Sequence, residues 1–285
     1  MCDTLRSYML NIGCGAVHHP AWTNVDVSYQ KDIPNLIVAD VRDGLPIPDC
    51  SFEAVYTSHL LEHLPGTAAH FFVRECYRVL KPGGILRVVV PDLEGIAREY
   101  LRQLEALVAG DDAAEANYDW MLLELYDQTV RDKSGGGMAD YLRQSGLSNK
   151  EFILSRIGSE AEGFWKKTSA DTSLLGRLKN PRGVGRAFRR TVAKGVVWLV
   201  GGKMYARAFG EGLFRAGGEV HRWMYDRYSL SRLLGNADFT EIEQRDATSS
   251  RIANFETYDL DTANGRIRKP DSLFMEARRP ESHSI

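Results

Sequence analysis

The chain has 285 residues, 44% of them hydrophobic and 26% charged, and its formal net charge is −2. This composition excludes a disordered chain and fits one domain, or one domain that carries an insertion. The four cysteines form no Cys-x-x-Cys pair, so neither a zinc ribbon nor a disulfide framework is expected. The first apolar run, residues 8–12, is too short for a signal sequence, which predicts a cytoplasmic protein.

Short apolar runs alternate with helical segments over the first hundred residues. The runs at 8–12, 22–27, 35–39, 52–57 and 85–90 are predicted as strands. Residues 70–80 have the pattern of an amphipathic helix, which should end at the breaker segment Lys81-Pro82-Gly83-Gly84. Continuous apolar strands alternating with helices indicate an α/β fold with a doubly wound, mostly parallel, Rossmann-like sheet.

The pattern becomes helical after strand five and returns to strands near the end of the chain. Residues 93–108 and 118–131 are predicted as helices. Runs at 239–244 and 272–277 are expected to be antiparallel neighbours, which completes a seven-stranded sheet. We therefore predict a core domain of residues 1–98 and 218–285. Residues 99–217 would form a helical insertion that acts as a lid, a substrate contact or an oligomer contact.

Glycines and carboxylates follow the first three predicted strands. Gly13 and Gly15 come after strand one, while Asp26 and Asp40 end strands two and three. Ligands bind beyond the carboxyl ends of the strands in such a sheet, and these carboxylates could bind ribose hydroxyls and an adenine amino group. The third glycine of a dinucleotide fingerprint is replaced by His18, which disfavours hydride transfer.

Six segments, taken in this order and spacing, resemble class I methyltransferases of the methyltransferase type 11 group. They are Leu10-Asn11-Ile12-Gly13-Cys14-Gly15, Asn24-Val25-Asp26, Val38-Ala39-Asp40, Ser51-Phe52-Glu53-Ala54-Val55-Tyr56, Leu61-Glu62-His63-Leu64 and Arg78-Val79-Leu80-Lys81-Pro82-Gly83-Gly84. Residues 218–226 look like a subgroup linked to bacterial glycan and polysaccharide biosynthesis. The resemblance covers about residues 8–98 and 218–279.

The resemblance implies that S-adenosylmethionine is the cofactor and that a methyl group goes to a small molecule or glycan, most often at oxygen. Gly13, Cys14 and Gly15 would contact the methionine part, with Asn11 beside them. Asp26 would bind the ribose, Asp40 and Val41 the adenine, and Ser58 and His59 would form the mouth of the site. The segment from Gly15 to Trp22 has room for only a turn or two, where family members have a full helix.

His221 and Asp92 are the candidate catalytic bases. Methyl transfer from a sulfonium needs alignment and, for a hydroxyl acceptor, a group that takes its proton. His221 lies where the chain returns from the insertion, and Asp92 ends strand five. The alternatives are a structural hydrogen bond for His221 and a helix N-cap for Asp92.

His63, Trp223 and Tyr225 are candidate substrate-binding residues, and the two aromatic residues could stack on a sugar together with Tyr228. The alternative for these aromatic residues is a place in the core. Residues 59–63 also match His-x-x-Glu-His, the inverted zinc-protease signature. Its position after a strand disfavours a protease. A divalent metal at Glu62 and His63 stays an alternative, but local pairing is favoured and no metal is predicted.

The segment 177–207 contains nine basic residues and no acidic residue. Its apolar residues recur on one helical side, at Val184, Phe188, Val192, Val196 and Leu199. This pattern suits peripheral contact with an anionic membrane, an anionic substrate, or docking onto the acidic remainder of the chain. Nucleic acid is disfavoured and a homodimer is possible. The non-enzymatic alternatives are a cofactor-binding protein and an assembly partner in glycan synthesis.

Overall fold

The computed structural model describes residues 8–170 and 181–281, and side chains at 167–170, 181–188 and 190 lie outside that description. Its centre is a seven-stranded sheet with strand order β3-β2-β1-β4-β5-β9-β6. The strands of this sheet are β1 Met9–Ile12, β2 Thr23–Asp26, β3 Leu36–Val38, β4 Phe52–Ser58, β5 Leu80–Pro91, β6 Thr240–Arg245 and β9 Ser272–Arg278. A separate two-stranded hairpin consists of β7 Thr262–Ala263 and β8 Arg266–Ile267.

Strands β1 to β5 run parallel, and β9 runs antiparallel to both of its neighbours, β5 and β6. The predicted α/β class, the mostly parallel seven-stranded sheet and the antiparallel final pair are therefore confirmed. Since β9 is antiparallel, its first residue, Ser272, pairs with Pro91 at the end of β5. The residues just before β9 thus lie at the carboxyl edge of the parallel strands.

The two faces of the sheet have different packing. On one face, aliphatic side chains of β1, β4 and β5 pack against helices α1, Gly66–Val79, and α8, Arg227–Gly235. On the other face, Trp22, Tyr56 and Phe255 pack edge to face or tilted, with ring centroids 5.7 to 6.4 Å apart. Burial of both faces accounts for the continuous apolar strands in the sequence.

The connection from α1 to β5 differs from the prediction. The segment Lys81-Pro82-Gly83-Gly84 was expected to separate the helix from the strand, but β5 begins already at Leu80. Leu80 pairs with Phe52, and the next pair is Ala54 with Ile85, so the four residues between them bulge out of the ladder. Gly83 supplies the positive φ of 79° that this bulge requires.

Helices α2 to α7 follow β5 and form a second layer. Their bounds are α2 Leu93–Val108, α3 Glu115–Val130, α4 Gly136–Leu142, α5 Lys150–Ile157, α6 Ser159–Ala170 and α7 Pro181–Ala216. Helices α2 to α6 have their own hydrophobic cluster, which includes Ile96, Trp120 and Ile153. Because Ile96 of α2 belongs to it, packing places α2 with the helical region, although the predicted boundary at residue 99 divides this helix.

Helix α7 contains most of the basic segment and has a kink at Gly202, where φ is 80°. Val192, Val196 and Leu199 are exposed by 49%, 54% and 76% of their surface. The remaining predicted apolar side chains, Val184 and Phe188, lie outside the described residues, as do several of the basic ones. Within 8–170 and 181–281, no helix has the length and apolar character needed to cross a membrane.

Candidate active site

A small cavity of about 210 Å³ opens at the carboxyl edge of the sheet. Five predicted cofactor-binding residues line it, namely Asn11, Gly13, Cys14, Ser58 and His59. Gly13 has a φ of 71°, and a Cβ atom there would lie 3.1 Å from the side chain of Leu60. The turn after β1 therefore requires glycine for its backbone conformation and for space.

Asp26 is held beside this turn. Its Oδ2 accepts a hydrogen bond from the backbone N–H of Gly15 at 3.0 Å, and its Oδ1 accepts from the N–H and hydroxyl of Ser28. Residues 13–22, all within the described part of the chain, contain turns and no helix. This agrees with the predicted short connection and leaves the Asp26 carboxylate at the rim of the sheet.

The predicted adenine-binding pair lies farther along the edge. Asp40 accepts a hydrogen bond from Arg42 Nε at 2.9 Å, and this bond lowers the pKa of Asp40. Val41 is buried in the core against the sheet. Neither residue lines the small cavity, so their adenine role stays a prediction.

A buried polar network lies next to the small cavity. Arg87 is fully buried and donates to Asp261 Oδ2 at 2.7 Å and to Glu276 Oε1 at 2.9 Å. Tyr56 donates its hydroxyl to Asp261 Oδ1 at 2.6 Å, and the N–H of Arg251 donates to Glu276 Oε2 at 2.9 Å. All four carboxylate oxygens of this network thus accept a hydrogen bond.

A large cavity of about 640 Å³ lies between the sheet edge and the helical layer. It shares three lining residues, His59, Ser159 and Lys269, with the small cavity. The ammonium group of Lys269 is 3.2 Å from Glu160, which also lines the large cavity. Two adjoining cavities therefore meet where the strands end.

Glu62, His63 and His221 come together in the wall of the large cavity. Glu62 and His63 lie in a 3-10 turn after β4, and the backbone oxygen of Glu62 accepts from the N–H of Arg222 at 2.6 Å. The N–H of His221 donates to Gln128 O of α3 at 2.9 Å. The rings of His63 and His221 meet edge to face with centroids 4.7 Å apart.

These three side chains are buried without hydrogen-bond partners for several of their atoms. Among the described residues, neither carboxylate oxygen of Glu62 has a partner, and the Nδ1 atoms of His63 and His221 have none. His59 Nδ1 is 3.2 Å from Glu62 Oε1, close enough for attraction. Unsatisfied groups of this kind are rare in folded proteins and indicate a missing partner.

Burial also fixes the charge of the imidazoles. It lowers the pKa of His63 and lowers that of His221 to about 3, against the opposing attraction of Glu62. Both rings are therefore neutral near pH 7. Burial opposes ionisation of Glu62, but its direct contact with His59 and its attraction to His59, His63 and His221 outweigh burial and bring the pKa to about 2. A neutral His221 can accept a hydrogen bond or bind a cation, whereas its protonation is unfavourable.

Asp271 is a cavity residue that the sequence analysis missed. It is 9% exposed, lines the large cavity, and its Oδ1 atom has no hydrogen-bond partner in the described residues. Burial raises its pKa. One signal could have found it: Asp271 directly precedes a strand that was predicted to be antiparallel, and this places it at the edge where ligands bind.

Three predicted catalytic or substrate-binding residues, Asp92, Trp223 and Tyr225, line neither cavity. Asp92 Oδ1 accepts a hydrogen bond from Glu94 N–H at 3.1 Å as the N-cap of α2, which matches the structural alternative for this residue. Tyr225 is buried in the core and pairs with Asp92 through the backbone. Trp223 and Tyr228 are 57% and 72% exposed, so the three aromatic residues form no common wall. The active-site roles of Asp92, Trp223 and Tyr225 remain predictions without geometric support.

Residues 10–88 match a protein-family model described as a methyltransferase domain. Over 57 residues the chain is 44% identical to a probable S-adenosylmethionine-dependent methyltransferase of Mycolicibacterium smegmatis, a match that covers 19% of this chain and 21% of the relative. Over 126 residues it is 29% identical to the 27-O-demethylrifamycin SV methyltransferase of Amycolatopsis mediterranei, covering 42% of this chain and 45% of that protein. The chain thus spans less than half the length of these curated relatives.

Among solved structures, one similar protein is a possible histamine N-methyltransferase of Thermotoga maritima. The alignment covers 98% of this chain and 84% of that one at 13% identity, with a TM-score of 0.39, too low to support an inference about function. Residues 10–88 are thus similar to a methyltransferase domain, and the strand order of the sheet is the Rossmann-like order predicted for that class. They imply S-adenosylmethionine as the cofactor, and the glycine turn beside Asp26 fits its binding.

Proposed function

We propose that the protein transfers a methyl group from S-adenosylmethionine to an oxygen of a small-molecule or glycan acceptor. The observation that carries the proposal is the pair of adjoining cavities that share His59, Ser159 and Lys269. One cavity contains the predicted methionine-binding residues, and the other is large enough for a separate ligand. This arrangement suits a reaction between two bound molecules better than it suits cofactor binding alone.

The volumes of the cavities suggest which ligand each one holds. The small cavity of about 210 Å³ is below the roughly 300 to 1,000 Å³ of common ligand sites, so it would enclose only part of the cofactor. The ribose and adenine would continue along the sheet edge toward Asp26 and Asp40. The large cavity, at about 640 Å³, falls within the usual range and suits an acceptor.

The lining of the large cavity favours an acceptor that carries hydroxyl groups. Polar side chains such as Gln128, Arg131 and Ser159 face apolar ones such as Met138 and Phe164. Such a mixed wall can bind the rings of a sugar or polyketide and also its hydroxyl groups. The Amycolatopsis relative, whose name states an O-demethylated substrate, gives further support for an oxygen acceptor.

S-adenosylmethionine, when bound, supplies an electrophilic methyl group on a sulfonium. The residues of this chain would align the acceptor and take its proton. His221 was the predicted base, but burial lowers its pKa to about 3 and disfavours its protonation. Asp271, with a free oxygen on the same cavity and a pKa raised by burial, is the better placed proton acceptor.

The test combines cofactor binding with turnover. Calorimetry should show S-adenosylmethionine binding that Asp26→Ala weakens, since a charged hydrogen bond contributes roughly 1.5 to 3 kcal/mol. The exposed variant Asp32→Ala is the matched control and should bind normally. Incubation with a panel of glycosides and polyketide phenols should yield S-adenosylhomocysteine and a methylated product. Binding without transfer to any member of a broad hydroxylated panel would favour the cofactor-binding alternative.

For the basic segment, we propose contact with an anionic membrane surface through α7. Trp198, Leu199, Val200 and Met204 expose 57% to 86% of their surface, close to Lys194 and Lys203. Apolar side chains that enter the headgroup region beside basic ones favour anionic lipids. Vesicles that contain phosphatidylserine should bind the protein, and the double variant Trp198→Ser/Leu199→Ser should reduce this binding. Equal sedimentation with neutral vesicles would contradict the proposal.

A further inference from the structure

The Glu62, His63 and His221 side chains form a group of potential metal ligands. One ligand atom from each residue lies within 4.8 Å of the other two. Glu62 is completely buried and His221 is 6% exposed, so water cannot freely satisfy their polar atoms. Both oxygens of Glu62 and one ring nitrogen of each histidine lack a hydrogen-bond partner among the residues that the structure describes.

We propose that Glu62, His63 and His221 bind one divalent transition-metal ion in the wall of the large cavity. One carboxylate and two imidazoles are a common donor set for Zn²⁺, and they also suit Mn²⁺, Fe²⁺ and Co²⁺. Metal–ligand bonds of about 2.0 to 2.2 Å put tetrahedral donor atoms about 3.3 Å apart. Side-chain movements of about 1 to 1.5 Å would close the observed set to that separation.

The three donors come from two segments, the 3-10 turn that contains Glu62 and His63 and the segment that contains His221, and backbone hydrogen bonds hold both. The backbone oxygen of Glu62 accepts from the N–H groups of Arg222 and Trp223, which ties the turn after β4 to the segment that contains His221. His221 is bound through its own N–H to Gln128 on α3. A set of donors fixed in this way changes little when a metal enters, and such preorganisation favours metal binding.

His59 supplies the second layer of the site. Its Nδ1 atom is 3.2 Å from Glu62 Oε1, and its Nε2 atom is 3.0 Å from the hydroxyl of Ser272. Its backbone has a φ of 51°, uncommon for a residue with a side chain. A residue that orients a metal-binding carboxylate in this way is typical of metal sites, in which outer partners position the direct ligands. His59 is therefore assigned a positioning role.

The three protein donors leave at least one coordination position open toward the large cavity. An acceptor oxygen bound at that position would become more acidic and would be held in a fixed direction. This use of the ion rests on the proposed methyl transfer. Binding of the ion does not depend on the proposed methyl transfer, because the three ligand residues are present whatever the acceptor is.

The experiment measures metal binding directly. The full chain is treated with a chelator, dialysed, and titrated with Zn²⁺, Mn²⁺ and Co²⁺ in a calorimeter. Visible absorption of Co²⁺ then reports the donor set. We expect one ion per chain, and we expect Glu62→Gln and His63→Gln each to weaken binding by at least about 100-fold. His59→Gln should weaken it by about 10- to 100-fold, as for an outer partner.

Two controls separate a specific site from weak surface binding and from misfolding. His70→Gln, on the exposed surface of α1, and Glu160→Gln, elsewhere in the large cavity, should bind the ion as the unaltered chain does. Circular dichroism establishes that each variant is folded. The inference is overturned if the stripped chain binds none of the ions, or if the folded Glu62→Gln and His63→Gln variants bind normally. Calorimetry with S-adenosylmethionine on the stripped chain tests the proposed function separately.

Discussion

Two groups of buried carboxylates in this protein differ in how completely they are paired. Asp261 and Glu276 surround the buried Arg87, and each of their four oxygens accepts a hydrogen bond. Glu62 and Asp271, on the wall of the large cavity, together have three buried oxygens without a partner in the described residues. Glu276 lies in β9, whereas Glu62 lies in the turn after β4 and Asp271 directly precedes β9.

The difference distinguishes carboxylates that hold the fold together from carboxylates that await a ligand. Burial of an unpaired charge costs several kcal/mol, so a folded protein keeps one only where another requirement maintains it. The Arg87 network has donors from three parts of the chain, Tyr56, Arg87 and Arg251, and each carboxylate oxygen already accepts a hydrogen bond. In the proposed site, the large-cavity carboxylates gain partners when an ion or an acceptor is bound.

The largest effect is expected for turnover when Asp271 is changed. Asp271→Asn removes the proposed proton acceptor but keeps the shape, and it should reduce methyl transfer by about 100- to 10,000-fold with unchanged cofactor affinity. Burial raises the pKa of Asp271, and only the ionised form accepts a proton. As the pH is lowered, activity should therefore be lost at a higher pH than it would be with an ordinary aspartate.

His221→Gln and Asp92→Asn complete that comparison in the same assay. If Asp92→Asn abolishes transfer while Asp271→Asn does not, the sequence-based assignment of Asp92 is right and the structural one is wrong. If only His221→Gln is inactive, Asp271 is not the proton acceptor, and the metal content of the variant tells whether His221 acts as the base or through the ion. Measurement of S-adenosylhomocysteine release across pH 5 to 9, with all three variants, decides between them.

A smaller but still substantial effect is expected for the free energy of unfolding of Arg87→Met. This change leaves Asp261 and Glu276 buried without their cation, and breaking such pairs costs about 3 to 5 kcal/mol. Urea denaturation measures the loss. The control is Arg98→Ala, because Arg98 is 72% exposed in its ion pair with Glu94 and should contribute less than about 1 kcal/mol. A loss for Arg87→Met no greater than that of the control would contradict the structural role of the network.

The Arg87 network and the residues of the large cavity could not be predicted equally well from the sequence. The parallel strands, the glycine turn and Asp26 follow from local patterns, because each lies within a few residues of a strand end. In the sequence, Arg87 is only a single charge within the apolar run 85–90, and its partners Asp261 and Glu276 are 174 and 189 residues away. No local pattern fixes such distances, and this explains why the network was missed.

The large cavity was predictable only in part for the same reason. His221 was selected because the chain must return from the insertion near the open edge, and the structure places it there. Its neighbour Glu62 was assigned to local pairing, since nothing in the sequence shows that His221 and Glu62 meet across 159 positions. The helices that close the cavity carry residues such as Gln128 and Met138, which have no pattern beyond that of an amphipathic helix.

The smallest effect is expected for the free energy of unfolding of Glu62→Gln in the absence of metal. This variant compares the two groups of carboxylates most directly. This variant replaces a buried carboxylate that accepts no hydrogen bond in the described residues by a neutral amide of the same shape. It loses only the attraction of Glu62 to the nearby imidazoles, so the free energy of unfolding should fall by less than about 1 kcal/mol. Glu276→Gln makes the same chemical change in the paired network. It should lower that free energy by about 1.5 to 3 kcal/mol, because the carboxylate accepts charged hydrogen bonds.

Both variants are measured by urea denaturation in the presence of a chelator and again with added Zn²⁺. Zinc should stabilise the unaltered chain and Glu276→Gln, since an ion that binds only the folded state raises its stability, but it should not stabilise Glu62→Gln. A metal-free Glu62→Gln that loses as much stability as Glu276→Gln would show that Glu62 is already paired in the folded chain. The distinction between the two groups of carboxylates would then be wrong, because the ion would have no unsatisfied charge to neutralise.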